Sequence, residues 1–138
     1  MINFKNKKIL LVGASGVLGS EYAKFFHDNG AKLIVSDIKS LKYQKLLSKI
    51  KKAKHLYCDL VQEKEIIQMV KKAANFFNGL DGVIINAAAT QESLITNKKN
   101  NFPPFEKYPL ELWEKSIKVN LTAGFLIARE TIKYLKKS

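Results

Sequence analysis

Short apolar runs alternate with amphipathic stretches along most of this chain. The apolar runs predict buried strands over residues 7–12, 31–36, 54–58 and 82–85. Apolar positions at helical spacing predict helices over residues 16–29, 40–51, 63–77 and 110–136. Strands that alternate with helices pair in parallel through right-handed crossovers. The pattern therefore predicts an α/β fold, a doubly wound parallel sheet with strand order 3-2-1-4.

The region after the fourth predicted strand has two distinctive parts. Residues 89–109 form one long loop with three prolines, and loops of this length in compact domains are often lids or binding loops. The last predicted helix follows this loop, and its apolar face comprises Leu112, Trp113, Ile117, Leu121, Phe125, Ala128, Ile132 and Leu135.

The junction of the first strand and the first helix is rich in glycine. Gly13 permits a tight turn, Gly16 lets the backbone approach a pyrophosphate, and Gly19 lets the helix pack closely on the strand. Ser15 adds a hydroxyl donor, and Leu18 belongs to the same predicted site. A strand, a glycine turn and a helix in this order aim free backbone N–H groups at a phosphate. The junction predicts a dinucleotide site, although glycines also end strands without binding a ligand.

Asp37 ends the second predicted strand and is a candidate for binding the adenosine ribose. A carboxylate at this position accepts hydrogen bonds from ribose hydroxyls and repels a 2′-phosphate, which favours NAD over NADP. Lys39 lies close by in sequence and would soften this preference. The alternative is a helix N-cap, a role that also suits Ser36 and Ser40.

Three further positions carry polar or small residues where a ligand would lie. Asp59 follows the third strand and either accepts a hydrogen bond from an adenine amino group or caps the next helix. Asn86, Ala87 and Ala88 end the fourth strand, where small side chains leave room for a ligand. Asn120 lies inside the last predicted helix, and because asparagine disfavours helix interiors it should either lock packing or hold a water.

Composition narrows the class of protein. The 138 residues are 46% hydrophobic and 26% charged, which is typical of one globular domain, and no apolar run approaches the roughly 18 residues of a membrane span. The single cysteine, Cys58, and a polar N-terminus favour a cytoplasmic location. The net charge of +12 comes almost entirely from scattered lysines, with Arg129 the only arginine, so neither nucleic acid nor a membrane is the expected partner. No metal site is predicted.

Five motifs in register give the chain a resemblance to the short-chain dehydrogenase/reductase family. They are the glycine turn, Asp37, the triplet Cys58-Asp59-Leu60, residues 80–88 and residues 113–122, and together they extend over essentially the whole chain. The resemblance implies a Rossmann-type domain in which the glycine turn and Asp37 hold the pyrophosphate and adenosine ribose of NAD.

The resemblance also implies roles for the remaining candidates and a reaction. Asp59 and Leu60 would flank the adenine, and residues 86–88 would line the nicotinamide-ribose side. Asn120 would be the catalytic asparagine that holds a water in the proton relay. The implied reaction is hydride transfer between nicotinamide and an alcohol or carbonyl substrate.

Departures from the family pattern leave alternatives open. The spacing Gly-x-x-Gly-x-x-Gly is closer to the epimerase branch, so half of a sugar-nucleotide epimerase or dehydratase is a lesser alternative. None of the five tyrosines is followed four residues later by lysine, so the family's Tyr-x-x-x-Lys acid–base motif is absent from residues 1–138. We therefore expect the cofactor-binding half of a longer enzyme, truncated before the catalytic serine and this motif and inactive alone. A non-catalytic nucleotide-binding or regulatory module is the other alternative.

The predicted strand order has a consequence for assembly. The fourth strand, with Val83, Ile84 and Ile85, would form an open apolar edge of the sheet. Such an edge invites pairing with another chain. We therefore expect a homo-oligomer, or a partner that covers this edge.

Overall fold

The structure, a computed structural model, is a four-stranded parallel sheet with helices on both faces, and it describes residues 3–90, 94 and 103–135. The strands are β1 (Lys8–Val12), β2 (Lys32–Asp37), β3 (Lys54–Tyr57) and β4 (Gly82–Ile85). Their order is β3-β2-β1-β4, and every pair is parallel. The predicted fold class and strand order are confirmed, with strand ends that differ by at most one residue.

Within the described residues, five α-helices of eight residues or more connect and extend these strands. They are α1 (Val17–Asp28), α2 (Leu41–Lys49), α3 (Glu63–Phe76), α4 (Leu110–Ile117) and α5 (Ala123–Leu135). Helix α2 begins where the Ser40 hydroxyl accepts a hydrogen bond from Tyr43 N at 3.1 Å, which satisfies an otherwise unpaired amide. Helix α1 ends just before Gly30, whose φ of +76° suits glycine.

Alternate residues of the central strands enter two separate cores. Leu11 and Val35 pack with Ala23 of α1 and Leu46 of α2 on one face of the sheet. On the other face, Leu10, Ile34 and their neighbours pack against α3 and α5. Strands β1 and β2 are therefore buried from both sides, which explains why their sequences are continuous apolar runs rather than alternating ones.

The helix predicted over residues 110–136 is interrupted by a π-helical turn, Lys118–Thr122. Within it, Ala123 N donates to Lys118 O, five residues back instead of four. One extra residue in a turn rotates the following positions by about 100° relative to a continuous α-helix. The single predicted helix is therefore corrected to two helices that a π-turn joins.

The face of this helical region that contacts the core is not the predicted apolar stripe. Most of that stripe is exposed, including Trp113 at 58%, Leu121 at 66% and Phe125 at 62%. The core is contacted instead by smaller or offset residues of α5, among them Ala123 and Ile127. The apolar face predicted for this region is therefore largely open in the described part of the chain.

The end of the sheet at β4 is open in the described part of the chain. There, β4 pairs with β1 only, and Ile85 is 41% exposed. Residues 91–93 and 95–102, which hold most of the predicted long loop, lie outside the described residues. Among the described helices, none combines the length and apolar composition that crossing a membrane requires.

Candidate functional site

The glycine turn is fixed between the carboxyl ends of β1, β2 and β4. Gly13 N and Ala14 N donate to Ser36 O at 2.9 and 3.3 Å. Gly13 has a φ of +81°, and a Cβ there would collide with the backbone of Ala87. A Cβ on Gly19 would collide with Gly13 O and lie 3.0 Å from Ala14 C. The fold itself therefore requires glycine at positions 13 and 19.

Gly16 differs from the other two glycines because the fold does not require it. Its φ and ψ are −67° and 172°, which any residue adopts, and the nearest atoms to an added Cβ lie 3.8 Å away. Ser20 N makes the first hydrogen bond of α1, to Gly16 O at 2.9 Å, so the amides of residues 17–19 precede the helical ladder. An added Cβ would fill the exposed space at this helix N-terminus, where an anion binds most favourably.

Asp37 is joined directly to the glycine turn. Its Oδ2 accepts hydrogen bonds from Ser15 N at 2.7 Å and from Ser15 Oγ at 2.8 Å. Its Oδ1 accepts one from Ile38 N at 2.8 Å. A carboxylate oxygen has about two acceptor positions, so within the described residues Oδ1 retains one for a further donor such as a ribose hydroxyl.

The helix-capping role considered for Asp37 is filled by another residue. Ser40, not Asp37, supplies the side-chain cap of α2. Lys39 does not form an ion pair with Asp37 in the described part of the chain, and its Nζ lies 5.3 Å from the centre of the Tyr57 ring. Among the described residues, no cation therefore lies within ion-pair distance of the Asp37 carboxylate at the end of β2.

The end of β4 meets the glycine turn as the sequence predicted. Asn86 N donates to Val12 O at 2.8 Å, and Asn86 Nδ2 donates to Gly13 O at 3.2 Å. Ala87 packs against the core, whereas Ala88 is exposed. Asn86 thus ties β4 to the turn, and Ala88 is the residue of this trio with an open surface.

Asp59 lies at the protein surface, whereas Leu60 lies in the core. Asp59 is exposed and accepts a hydrogen bond from Val61 N at 3.0 Å, forming a turn ahead of α3 rather than a side-chain cap on it. Leu60 is 9% exposed and belongs to the core. Burial raises the pKa of the neighbouring Cys58 thiol to about 12, helped by the negative charges of Glu65 and Asp59, so this cysteine is a neutral packing residue at pH 7.

Asn120 lies in the π-turn and is exposed, not buried as the helical position suggested. Its Oδ1 accepts from Ala89 N at 2.7 Å, and its Nδ2 donates to Ala89 O at 3.1 Å and to Ser116 Oγ at 3.1 Å. The amide thereby fastens the chain that leaves β4 to the π-turn. Of the two roles considered for Asn120, these hydrogen bonds fit the one in which the side chain stabilises local packing.

Sequence reasoning missed one feature beside Asp59. An open cleft of about 300 Å³ lies between Asp59 and α4, and it is lined on the far side by Glu111, Glu114 and Lys115 of α4 and by Lys118 of the π-turn. Glutamate and lysine at helical spacing resemble an ordinary solvated face. Local pattern gave no signal that α4 would face the end of β3.

Comparison with known proteins identifies the family. The sequence profile described as short chain dehydrogenase matches residues 7–138. Similar proteins include the 3-oxoacyl-[acyl-carrier-protein] reductase FabG of Rickettsia typhi, 33% identical over 135 residues, and an uncharacterized oxidoreductase of Thermotoga maritima, 28% identical over 140 residues. The alignments cover 96% and 99% of this chain but 50% and 51% of those proteins, so the chain spans about half the length of the curated relatives it matches.

Solved structures agree on the fold. A putative short chain dehydrogenase from Escherichia coli CFT073 has a TM-score of 0.78 at 24% identity, over 99% of this chain and 59% of that one. A Serratia marcescens short-chain dehydrogenase/reductase mutant has a TM-score of 0.82 at 18% identity, over 97% of this chain and 53% of that one. These likenesses support the Rossmann-type architecture. Because the family profile extends over nearly all of its residues, the chain belongs to the short-chain dehydrogenase family.

Proposed function

We propose that this chain binds NAD and supplies the cofactor-binding half of an oxidoreductase that transfers hydride between nicotinamide and an alcohol or carbonyl substrate. The observation that carries the proposal is that Gly16 is exposed at the start of α1 and is a glycine that the fold does not need. Space for a ligand against bare backbone, at a helix N-terminus, suits a pyrophosphate. Membership of an oxidoreductase family is consistent with this use.

The binding groups divide into three parts. The amides of Val17, Leu18 and Gly19 face the pyrophosphate position. Asp37 Oδ1 accepts a ribose hydroxyl, while its Oδ2 remains bonded to Ser15. Asp59, Leu60 and residues 86–88 are proposed to border the adenine and nicotinamide-ribose positions.

The uncompensated charge of Asp37 supports NAD over NADP. A phosphate on the 2′-oxygen would approach this carboxylate, and two negative groups at hydrogen-bond distance repel each other. Lys39, the nearest cation in sequence, interacts with Tyr57 instead. The dinucleotide, when bound, supplies the hydride donor or acceptor. Asn120 is proposed as the catalytic asparagine, and its contacts with Ala89 hold the exit of β4 in place.

A pair of nucleotide titrations tests cofactor choice. The intrinsic fluorescence of NADH and NADPH is followed as protein is added, for the wild-type chain and for Asp37→Ala. Because a hydrogen bond to a charged group contributes about 1.5–3 kcal/mol, Asp37→Ala should weaken NADH binding by about 10- to 100-fold. NADPH should lose less affinity, since the repulsion disappears as well.

The matched control is Asp28→Ala, which removes an exposed carboxylate from the opposite end of α1. It should leave both affinities within twofold, and the urea midpoint of each variant shows whether it folds. Tighter NADPH than NADH binding by the wild-type chain would contradict the assignment of NAD. An unchanged ratio of the two affinities in Asp37→Ala would do the same.

A second candidate function is nucleotide binding without catalysis by this chain. The observation that favours it is the absence of Tyr-x-x-x-Lys from its sequence. Both candidate functions use the same nucleotide site, and they differ in whether the site takes part in the turnover of a substrate. Incubating the chain with NAD and a panel of alcohols should give no NADH above background, and robust NADH production would show that residues 1–138 suffice for catalysis.

We also propose that another polypeptide covers the apolar surface left open in this fold, most simply a second copy. The open side of β4 and the exposed stripe with Trp113 and Phe125 support this proposal. Light scattering of the purified chain should give the mass of a dimer or of a larger assembly of 15.6 kDa chains. A monomer that stays soluble at high concentration would contradict a self-assembled cover.

A further inference from the structure

Helix α2 and strand β3 carry an unusual concentration of positive charge. Seven lysines lie between residues 39 and 54, and no aspartate or glutamate occurs between residues 38 and 58. All seven lysines are exposed. The ion pairs found in the described part of the chain involve none of them. This surface, residues 39–57, is called the α2–β3 basic surface below.

The lysines of α2 form a line along one side of the helix. At about 100° per residue, Lys42, Lys45 and Lys49 lie within about 60° of one another. The apolar side of α2 is already used, because Tyr43 and Leu46 are buried against the sheet. What α2 offers to solvent is therefore mainly a row of cations, with Leu41 at 75% as its one highly exposed apolar residue.

Exposed aromatic rings accompany these lysines on β3, which is the edge strand of the sheet. Tyr57 is 43% exposed, with Lys39 Nζ 5.3 Å from its ring centre and the His55 ring 6.0 Å away. Phe76 of α3 is 41% exposed, with Lys54 Nζ 5.8 Å from its ring centre. The edge strand is thus bordered by open rings, each next to a cation.

From this juxtaposition we propose that the α2–β3 basic surface binds single-stranded nucleic acid without sequence preference. Lysines attract the phosphate backbone, and exposed rings provide stacking surfaces for unpaired bases. The absence of arginine from residues 38–58 removes the side chain best suited to reading base edges, which favours sequence-independent binding.

The exposure of apolar residues on α2 and the distribution of lysines favour single-stranded nucleic acid over a membrane surface. Binding at a membrane surface by an amphipathic helix needs a broad free apolar side, whereas α2 buries Tyr43 and Leu46 and leaves only Leu41 highly exposed. The sequence-based expectation against nucleic acid rested on lysines scattered along the chain, but seven of them are concentrated in residues 39–54, which include α2 and the start of the edge strand β3.

Both ends of the surface adjoin the proposed cofactor site, because Tyr57 pairs with Asp37 in the sheet and Lys39 follows Asp37 by two residues. The lysines of α2 belong to a different element from the glycine turn, so the inference does not require the proposed cofactor.

Fluorescence anisotropy of labelled 15-nucleotide oligo-U and oligo-dT tests the inference, at 50 and 200 mM salt. For a single strand the slope of log K against log[salt] is about −0.7 per phosphate neutralised, so contact by four or more lysines gives a slope of about −3 or steeper. The charge-reversal variant Lys42→Glu/Lys45→Glu/Lys49→Glu should weaken binding at least tenfold and make the slope shallower by about 2.

The control variant Lys5→Glu/Lys7→Glu/Lys24→Glu changes the net charge equally, at exposed positions before β1 and in α1 that do not belong to the proposed surface. It should weaken binding less than threefold. Tyr57→Leu should weaken binding about tenfold with an unchanged salt slope, because it removes stacking but no charge. Urea midpoints establish that each variant is folded.

Three results would overturn the inference. The first is a lack of binding at 50 mM salt, and the second is an equal loss in the two charge-reversal variants, which would indicate an effect of net charge alone. The third is binding to phosphatidylserine vesicles that exceeds binding to either oligonucleotide, which would identify a membrane surface instead. If the α2 variant still binds NADH, the α2–β3 basic surface and the proposed cofactor site are independent of each other.

Discussion

Single alanine substitutions of Gly16 and Gly19 should distinguish a glycine that the fold requires from a glycine that only ligand binding requires. The two glycines lie three residues apart at the start of α1, and both are expected dinucleotide contacts. In the structure their surroundings are opposite. A Cβ at position 19 collides with Gly13 O and lies 3.0 Å from Asn86 Nδ2, whereas a Cβ at position 16 has no atom closer than 3.8 Å.

The magnitudes follow from these contacts. Gly19→Ala forces α1 away from the turn, and overpacking of this kind costs about 1–3 kcal/mol. The shift also strains the hydrogen bond from Asn86 Nδ2 to Gly13 O, which contributes about 0.5–1.5 kcal/mol. We therefore expect Gly19→Ala to lower the free energy of unfolding by about 2–4 kcal/mol. Gly16→Ala should leave it unchanged or raise it by about 0.4–1 kcal/mol, because alanine restricts the unfolded chain.

The affinity for NADH should show the opposite pattern, because the substitutions at Gly16 that leave stability unchanged should weaken binding. Gly16→Ala places a methyl group where the pyrophosphate would lie, and the larger Gly16→Val should weaken NADH binding at least tenfold in a protein of normal stability. Urea unfolding followed by circular dichroism gives the stabilities, and NADH fluorescence gives the affinities. Gly124→Ala in α5 is the matched control, since nothing lies within 4 Å of its added Cβ.

Two outcomes would refute this reasoning. If Gly16→Val retained full affinity for NADH, the space in front of α1 would not hold the pyrophosphate. If Gly19→Ala were as stable as the wild-type chain, the close packing of α1 on the glycine turn would be wrong.

Two further predictions concern the core beside the site. The Tyr43 hydroxyl lies 2.8 Å from Val35 O and 3.1 Å from Leu56 O, so Tyr43→Phe should lower the free energy of unfolding by about 1–2 kcal/mol, and an unchanged urea midpoint would contradict the importance of this contact. Burial raises the pKa of Cys58 from 9.0 to about 12, so the unfolded thiol ionises at a lower pH than the folded one and stability falls as the pH rises above 9. At pH 10.5 this loss is about 2 kcal/mol; it should be absent in Cys58→Ala, and equal alkaline losses in both proteins would contradict the assignment.

The sheet was predictable from sequence because its signals are local. Continuous apolar runs in β1 and β2 indicate strands buried on both faces, and Gly13 and Gly30 mark turns with positive φ. Strand order then follows from alternation with helices and the handedness of crossovers. The position of the glycine turn beside Asp37 and Asn86 followed from the same rules, since carboxyl ends of parallel strands share an edge.

What was not predictable depends on contacts between distant residues. The π-turn leaves no simple mark in the sequence, and its extra residue shifts the positions of α5 relative to those of α4. The bond between Ser15 and Asp37 joins residues 22 positions apart, so the candidate N-cap role of Asp37 could be rejected only from the structure. The hydrogen bonds of Asn120 to Ala89 likewise depend on how α4 and the π-turn lie against the end of β4.

The most direct test of the central claim, that NAD binds at the glycine turn, is an NMR titration of the ¹⁵N-labelled chain with NAD. The account predicts that amide signals of residues 15–19 and of Asp37 and Ile38 shift together and saturate with one affinity. Signals from the opposite end of the sheet, such as Lys8 and Lys32, should stay in place. Shifts confined to other surfaces, or no shifts at millimolar NAD, would contradict the claim.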